Sequence, residues 1–208
     1  SSGIPTIDVA ALIADLKDGI IKAKEFKEKI DEAKKRLQTL KATGEHYKEM
    51  VDGHFDFEAI LNDPFLNEHL ALDDWKEIYS SIDDISDLRD EFDLNSYDPS
   101  IQVRYDNTLH QIAAQRKFYD MSVERNKNLQ ALLEQFETAE NPAAKADLAN
   151  SINFENAQLK NDAKMMETMS VLMEQQALVE ESMASIDKME VLRGVGIEVD
   201  YSAAEEGL

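Results

Sequence analysis

Cysteine is absent from all 208 residues. That excludes a disulfide scaffold, a thiol nucleophile and thiolate metal sites. Glycine and proline are scarce, at 7 and 4 residues. So few breakers favour long helices over a turn-rich β fold. Long apolar runs are also missing. None approaches the ~18 residues that a membrane-spanning helix needs. No signal-peptide pattern opens the chain, and Ser1-Ser2-Gly3 is compatible with a mature start. Basic residues are outnumbered, 22 against 43, for a net charge of −21. Residues 1–43 carry 9 basic and 7 acidic residues, 44–108 carry 4 and 18, and 109–208 carry 9 and 18. Most of such a surface repels a phosphate backbone and an anionic bilayer, which argues against direct nucleic-acid binding.

Catalytic constellations are missing too. There is no glycine-rich phosphate loop and no Gly-x-Ser-x-Gly. His46, His54, His69 and His110 are scattered, and none lies four residues from another. The acidic run Asp83, Asp84, Asp87, Asp90, Glu91, Asp93 invites a calcium loop, which requires Gly at position six and Glu at twelve. Counting from Asp83, those positions hold Leu88 and Leu94; from Asp93 they hold Asp98 and Arg104. A solvated helix face explains the run better. The expectation is a protein without catalytic residues, metal or cofactor.

What the chain does contain is helical periodicity. The stretch from Asn141 to about Leu192 has no glycine or proline after its opening turn. Asn141 suits an N-cap and Pro142 the first helical position. Arg193-Gly194-Val195-Gly196 suits its close. Ile152, Leu159, Met166 and Met173 recur every seven residues, flanked by Ala149, Ala163 and Ala177. That is a coiled-coil-like seam. A second row, Leu172, Val179 and Ile186, lies near the opposite side, joined by Met165, Met169 and Met183. A helix apolar on two sides requires two neighbours.

An earlier helix is expected from an Asp8 N-cap to about Thr43, stopped by Gly44. Ile7 and Leu12 stand in staple positions across its start. Gly19 inside it reads as a close helix–helix approach. Periodicity resumes from about Ile101 to Ala139. Between these helices, Asp52-Gly53, Asp63-Pro64 and Asp98-Pro99 punctuate short amphipathic pieces at Phe57–Leu61, Leu72–Ile82 and Ile85–Phe92. Phe55, Phe57, Phe65, Trp75, Tyr79, Phe92 and Tyr97 concentrate there and imply a small aromatic core.

The fold expected is all-α. It is an elongated antiparallel three-helix bundle (1–43 and 101–196) with a helical appendage (44–100) between the first and second long helices, and a loose tail (197–208). Trp75 with Tyr79 reads as appendage core or as an aromatic contact for a partner. Leu172, Val179, Met183 and Ile186 read as bundle core or as an adaptable partner-binding face.

Two segments together resemble a known family. One is Gly3-Ile4-Pro5-Thr6-Ile7-Asp8, running directly into an amphipathic helix. The other is Asn141-Pro142-Ala143-Ala144-Lys145-Ala146-Asp147-Leu148, with Ile152, Glu155-Asn156-Ala157 and Leu159-Lys160-Asn161 beyond it. They resemble the minor pilus subunits of type IV secretion systems, the family of the fifth protein in the VirB series. The resemblance implies an exported protein, cut from a signal peptide, working in the periplasm and on the extracellular pilus. It implies an accessory component for pilus assembly and target-cell adhesion in conjugation. Its implied partners are the major pilin, other secretion-system subunits and a recipient-cell receptor. The family carries no catalytic residues to transfer. A soluble periplasmic helical adaptor or chaperone for secretion-system subunits is the alternative.

Overall fold

The computed structural model describes residues 6–42 and 57–194, without the side chains of 40–41, 176 and 179–194. Every helix or strand among the described residues is an α-helix: α1 (Val9–Ala42), α2 (Phe57–Leu61), α3 (Pro64–His69), α4 (Asp73–Ser81), α5 (Ser86–Phe92), α6 (Pro99–Thr138) and α7 (Pro142–Gly194). The chain is all-α over that range. The expected stop at Gly44, the aromatic Phe55 and the tail from 197 lie outside the described residues.

Side-chain caps set the helix starts. Asp8 Oδ1 accepts from the Ala11 N–H at 3.0 Å, and Ile7 packs in the same cluster as Leu12. Asn141 Oδ1 accepts from Ala143 at 2.9 Å and Ala144 at 3.3 Å, with Pro142 in the first turn. Asp98 caps α6 through Ser100 at 2.9 Å, so that helix starts at Pro99, before the expected Ile101. Asp63 accepts from Leu66 at 3.0 Å and starts α3, where the sequence reading sees only punctuation. An Asp-Pro pair both ends one helix and caps the next, because proline fills the first-turn position at no hydrogen-bond cost.

The long helices α1, α6 and α7 each contact both of the others. Leu12 and Leu16 share a cluster with Leu129, Leu133, Ile152 and Leu159. Further along, Ala23, Phe26 and Ile30 share one with Ala114, Phe118, Met165, Met166, Met169 and Met173. The seam Ile152, Leu159, Met166, Met173 is buried throughout. Flexible thioethers suit the wide part of this core, where aromatic rings of differing shape must be filled around. At Gly19 an added Cβ would meet Asn126 Nδ2 and Leu159 Cδ1, each at 3.2 Å. That is the close approach expected of it.

The short helices do not keep a separate aromatic core. Phe57 and Trp75 belong to the same cluster as Phe26, Phe118 and the methionines. Trp75 lies 4.1 Å from Phe118 between ring centroids, and Phe57 meets Phe118 edge-on at 5.7 Å. Helices of five to nine residues bury too little surface alone, and the long helices supply the rest. Phe65 and Tyr97 are exposed.

Candidate functional site

Consecutive residues of α7 anchor the short helices. Asn161 Oδ1 accepts from the Ala71 N–H at 2.9 Å, and its Nδ2 donates to the Ala71 carbonyl at 2.6 Å. The side-chain amide thus satisfies both backbone groups of Ala71, in the α3–α4 linker, as a neighbouring strand would. Next to it, Asp162 Oδ1 accepts from the Trp75 indole N–H at 3.2 Å. Its other oxygen accepts from Arg125 Nη1 at 2.5 Å. Arg125 also reaches Asp74 at 3.0 Å and Glu155 at 3.5 Å. One guanidinium therefore ties α4, α6 and α7 together.

Burial dominates the electrostatics of this joint. It pushes the Asp162 carboxyl up to about 6, against the pull of Arg125 and the Trp75 hydrogen bond. Asp74 nearby raises it further. A buried carboxyl that titrates in this range is a common signature of general acid–base sites. Here, however, both oxygens are engaged, by Trp75 and by Arg125. Asp162 lines neither the cleft beside Tyr79 nor the groove between α1 and α6. The arrangement holds helices together.

Trp75 is fully buried, so in this structure it is a core residue and not a surface contact. Tyr79, four residues on, is half-buried and borders a cleft of about 320 Å³ with Glu58, Asn62, Lys76, Ser80 and His110. Its ring meets the His110 ring edge-on at 4.5 Å. The structure therefore separates the two expected aromatics, with one inside and one at a cleft. Leu172 is half-buried on α7. The side chains of Val179, Met183 and Ile186 lie outside the described residues.

A family model for type IV secretion system proteins matches residues 3–185. The chain belongs to that family. No curated protein and no solved structure matches it significantly.

In this type IV secretion system protein the matched span includes the Asn161–Asp162 joint, the Tyr79 cleft and Leu172. Beside Leu172, Val171 and Leu178 are 52% and 54% exposed and seven residues apart. Sequence reasoning passed over this pair, although its heptad spacing was visible. Among the described residues, no group of three or more His, Asp or Glu side chains could hold a metal ion. Nor is any helix there long and apolar enough to cross a membrane.

Proposed function

We propose that this chain is a minor subunit of a type IV secretion pilus. It acts in pilus assembly and target-cell adhesion, in support of conjugative DNA transfer, and performs no catalysis. Membership of the secretion-system family is the observation that carries this reading. The N-terminal segment and the Asn141–Leu148 segment that resemble minor pilus subunits support the finer assignment.

In this reading α1, α6 and α7 act as an elongated antiparallel bundle, made of 1–43 and 101–196. The segment 44–100 is the appendage it presents, and 197–208 is a tail. The order of partners along the helices supports the bundle: residues 12–16 cluster with 129–133 and 152–159, and residues 23–30 with 114–118 and 165–173. The Tyr79 cleft is the appendage contact. The face of α7 with Leu172 beside exposed Val171 and Leu178 docks on pilus subunits, together with Val179, Met183 and Ile186, which follow it in the sequence. The partners are the major pilin and other secretion-system subunits, with a recipient-cell receptor as the adhesive target. The site of action is the periplasm and the extracellular pilus.

Fractionation of a conjugating strain into cytosol, periplasm and sheared pili tests the assignment, with an antibody to this chain. Recovery with pili, well below the amount of the major pilin, is the expected result. Recovery in the periplasm alone would replace the pilus role with that of an adaptor or chaperone. Recovery in the cytosol alone would overturn both.

A further inference from the structure

A second groove runs between α1 and α6. It has a volume of about 470 Å³ and is lined along α1 from Gly19 to Asp31 and along α6 from Tyr119 to Gln130. That is ~18 Å of helix, or about three turns. Its apolar lining is Ile20 at the rim with Ala23 and Val123, and buried Ser122 and Asn126 lie among them. Ile13 and Ile20, seven residues apart, are both exposed and extend the apolar strip along α1. Heptad-spaced apolar positions with no covering side chain are what one helix offers another.

Two further observations describe the chemistry of this groove. Ser122 borders the groove, is only 2% exposed, and its hydroxyl has no hydrogen-bond partner. A buried hydroxyl without a partner is uncommon and costly. Lys24, Lys27 and Lys127 also line the groove. Among the described residues none of these lysines is in an ion pair, and Lys27 lies over the Tyr119 ring at 5.2 Å. Glu28 and Asp31 contribute the opposite sign. The groove is nonetheless basic on a chain whose net charge is −21.

We propose that the α1–α6 groove receives an acidic amphipathic helix from another polypeptide. Its apolar seam covers Ile20, Ala23 and Val123, and its carboxylates pair with Lys24, Lys27 and Lys127. The proposal stands apart from the pilus reading, because it depends on this groove alone.

The test titrates the purified full chain with two synthetic heptad peptides by calorimetry. Both carry leucine along the seam; one has glutamate flanks and the other lysine flanks. The acidic peptide binds about tenfold tighter, as expected for a few partly solvated charge pairs, and the preference weakens with salt. The double variant K27E/K127E removes or reverses the preference. Ile20→Glu, at an exposed position, weakens both peptides. The double variant K160E/K164E, at exposed positions of α7, makes the same change in net charge and changes neither. Equal binding of the two peptides would overturn the proposal, as would a K160E/K164E effect as large as that of K27E/K127E. Self-association of the chain that K27E/K127E abolishes, with no peptide binding, would give the groove to a second copy and also overturn it.

Discussion

Replacing Asp162 with Asn should stabilise the protein at neutral pH, although it removes one half of a buried ion pair. The Asp162 carboxyl is raised from 3.8 to about 6, chiefly by burial. The native state therefore holds this proton more tightly than the unfolded state does. Between pH 3.8 and about 6 the native form carries more protons, so stability falls as pH rises through that window. The two protonation states differ by about 3 kcal/mol in the stability they permit. Asparagine keeps the shape, still offers Oδ1 to the Trp75 indole and carries no charge to desolvate. Its Nδ2, however, then faces Arg125 Nη1, donor against donor, so the guanidinium must turn towards its other partners and part of the gain is lost. Arg125 keeps Asp74 and Glu155. Asp162→Asn should thus exceed the parent by up to ~3 kcal/mol at pH 7 and match it near pH 4. Urea unfolding at a series of pH values measures this. Trp75, the only tryptophan, reports from the site itself, and helical dichroism checks it. The opposite sign at pH 7, a loss of ~3–5 kcal/mol as for breaking a buried pair, would refute the argument that desolvation outweighs Arg125. A difference that does not change with pH would refute it equally.

Other perturbations test the remaining contacts. Trp75→Ala should cost ~3–5 kcal/mol in chemical denaturation followed by dichroism, because it empties a site packed on Phe118. Asn161→Ala should cost only ~1 kcal/mol globally. Its clear signature is faster amide exchange at Ala71, whose N–H loses its acceptor. Glu91 is held down to about 2 by hydrogen bonds from Arg116 and then Lys34. Its contribution is present above pH 4.5 and lost as pH falls towards 2, so Glu91→Gln should flatten the acid limb of the stability curve. Gly19→Val should lower stability by ~1–3 kcal/mol, because Asn126 and Leu159 already crowd the position; an unchanged melting temperature would remove its packing role.

Local chemistry made most helix boundaries readable. Asp8 and Asn141 cap helices that their own side chains start, whereas the Asp98 cap, like that of Asp63, reads in the sequence only as punctuation. The seven-residue row from Ile152 to Met173 marked the buried side of α7 because a seam is a periodic property of one segment. Contacts between segments left no such record. Trp75 meets Asp162 across 87 residues and Arg125 meets Asp162 across 37, and no spacing announces either pair. Trp75 and Tyr79 looked equivalent at four residues apart. They do share one face of α4, but Tyr79 sits one turn further along, near the end of the helix, where the core gives way to a cleft. The α3 helix was hidden for a different reason, since Asp63-Pro64 is a signal for stopping and starting alike.

The connection between α6 and α7 has a consequence for how the chain acquires its shape. Only residues 139–141 separate these helices, so they can meet early, with little loop entropy to overcome. The partners of α1 lie far away in sequence: Leu12 and Leu16 bury themselves on Leu129, Leu133, Ile152 and Leu159. Such distant pairings form slowly. During synthesis from the N-terminus, α1 emerges first and docks last. Its apolar face, including Phe26 and Ile30, is not fully covered until the methionine-rich stretch of α7 joins the earlier partners Phe57, Trp75 and Phe118. Throughout that interval the nascent chain displays a greasy helix to whatever chaperone or transporter meets it.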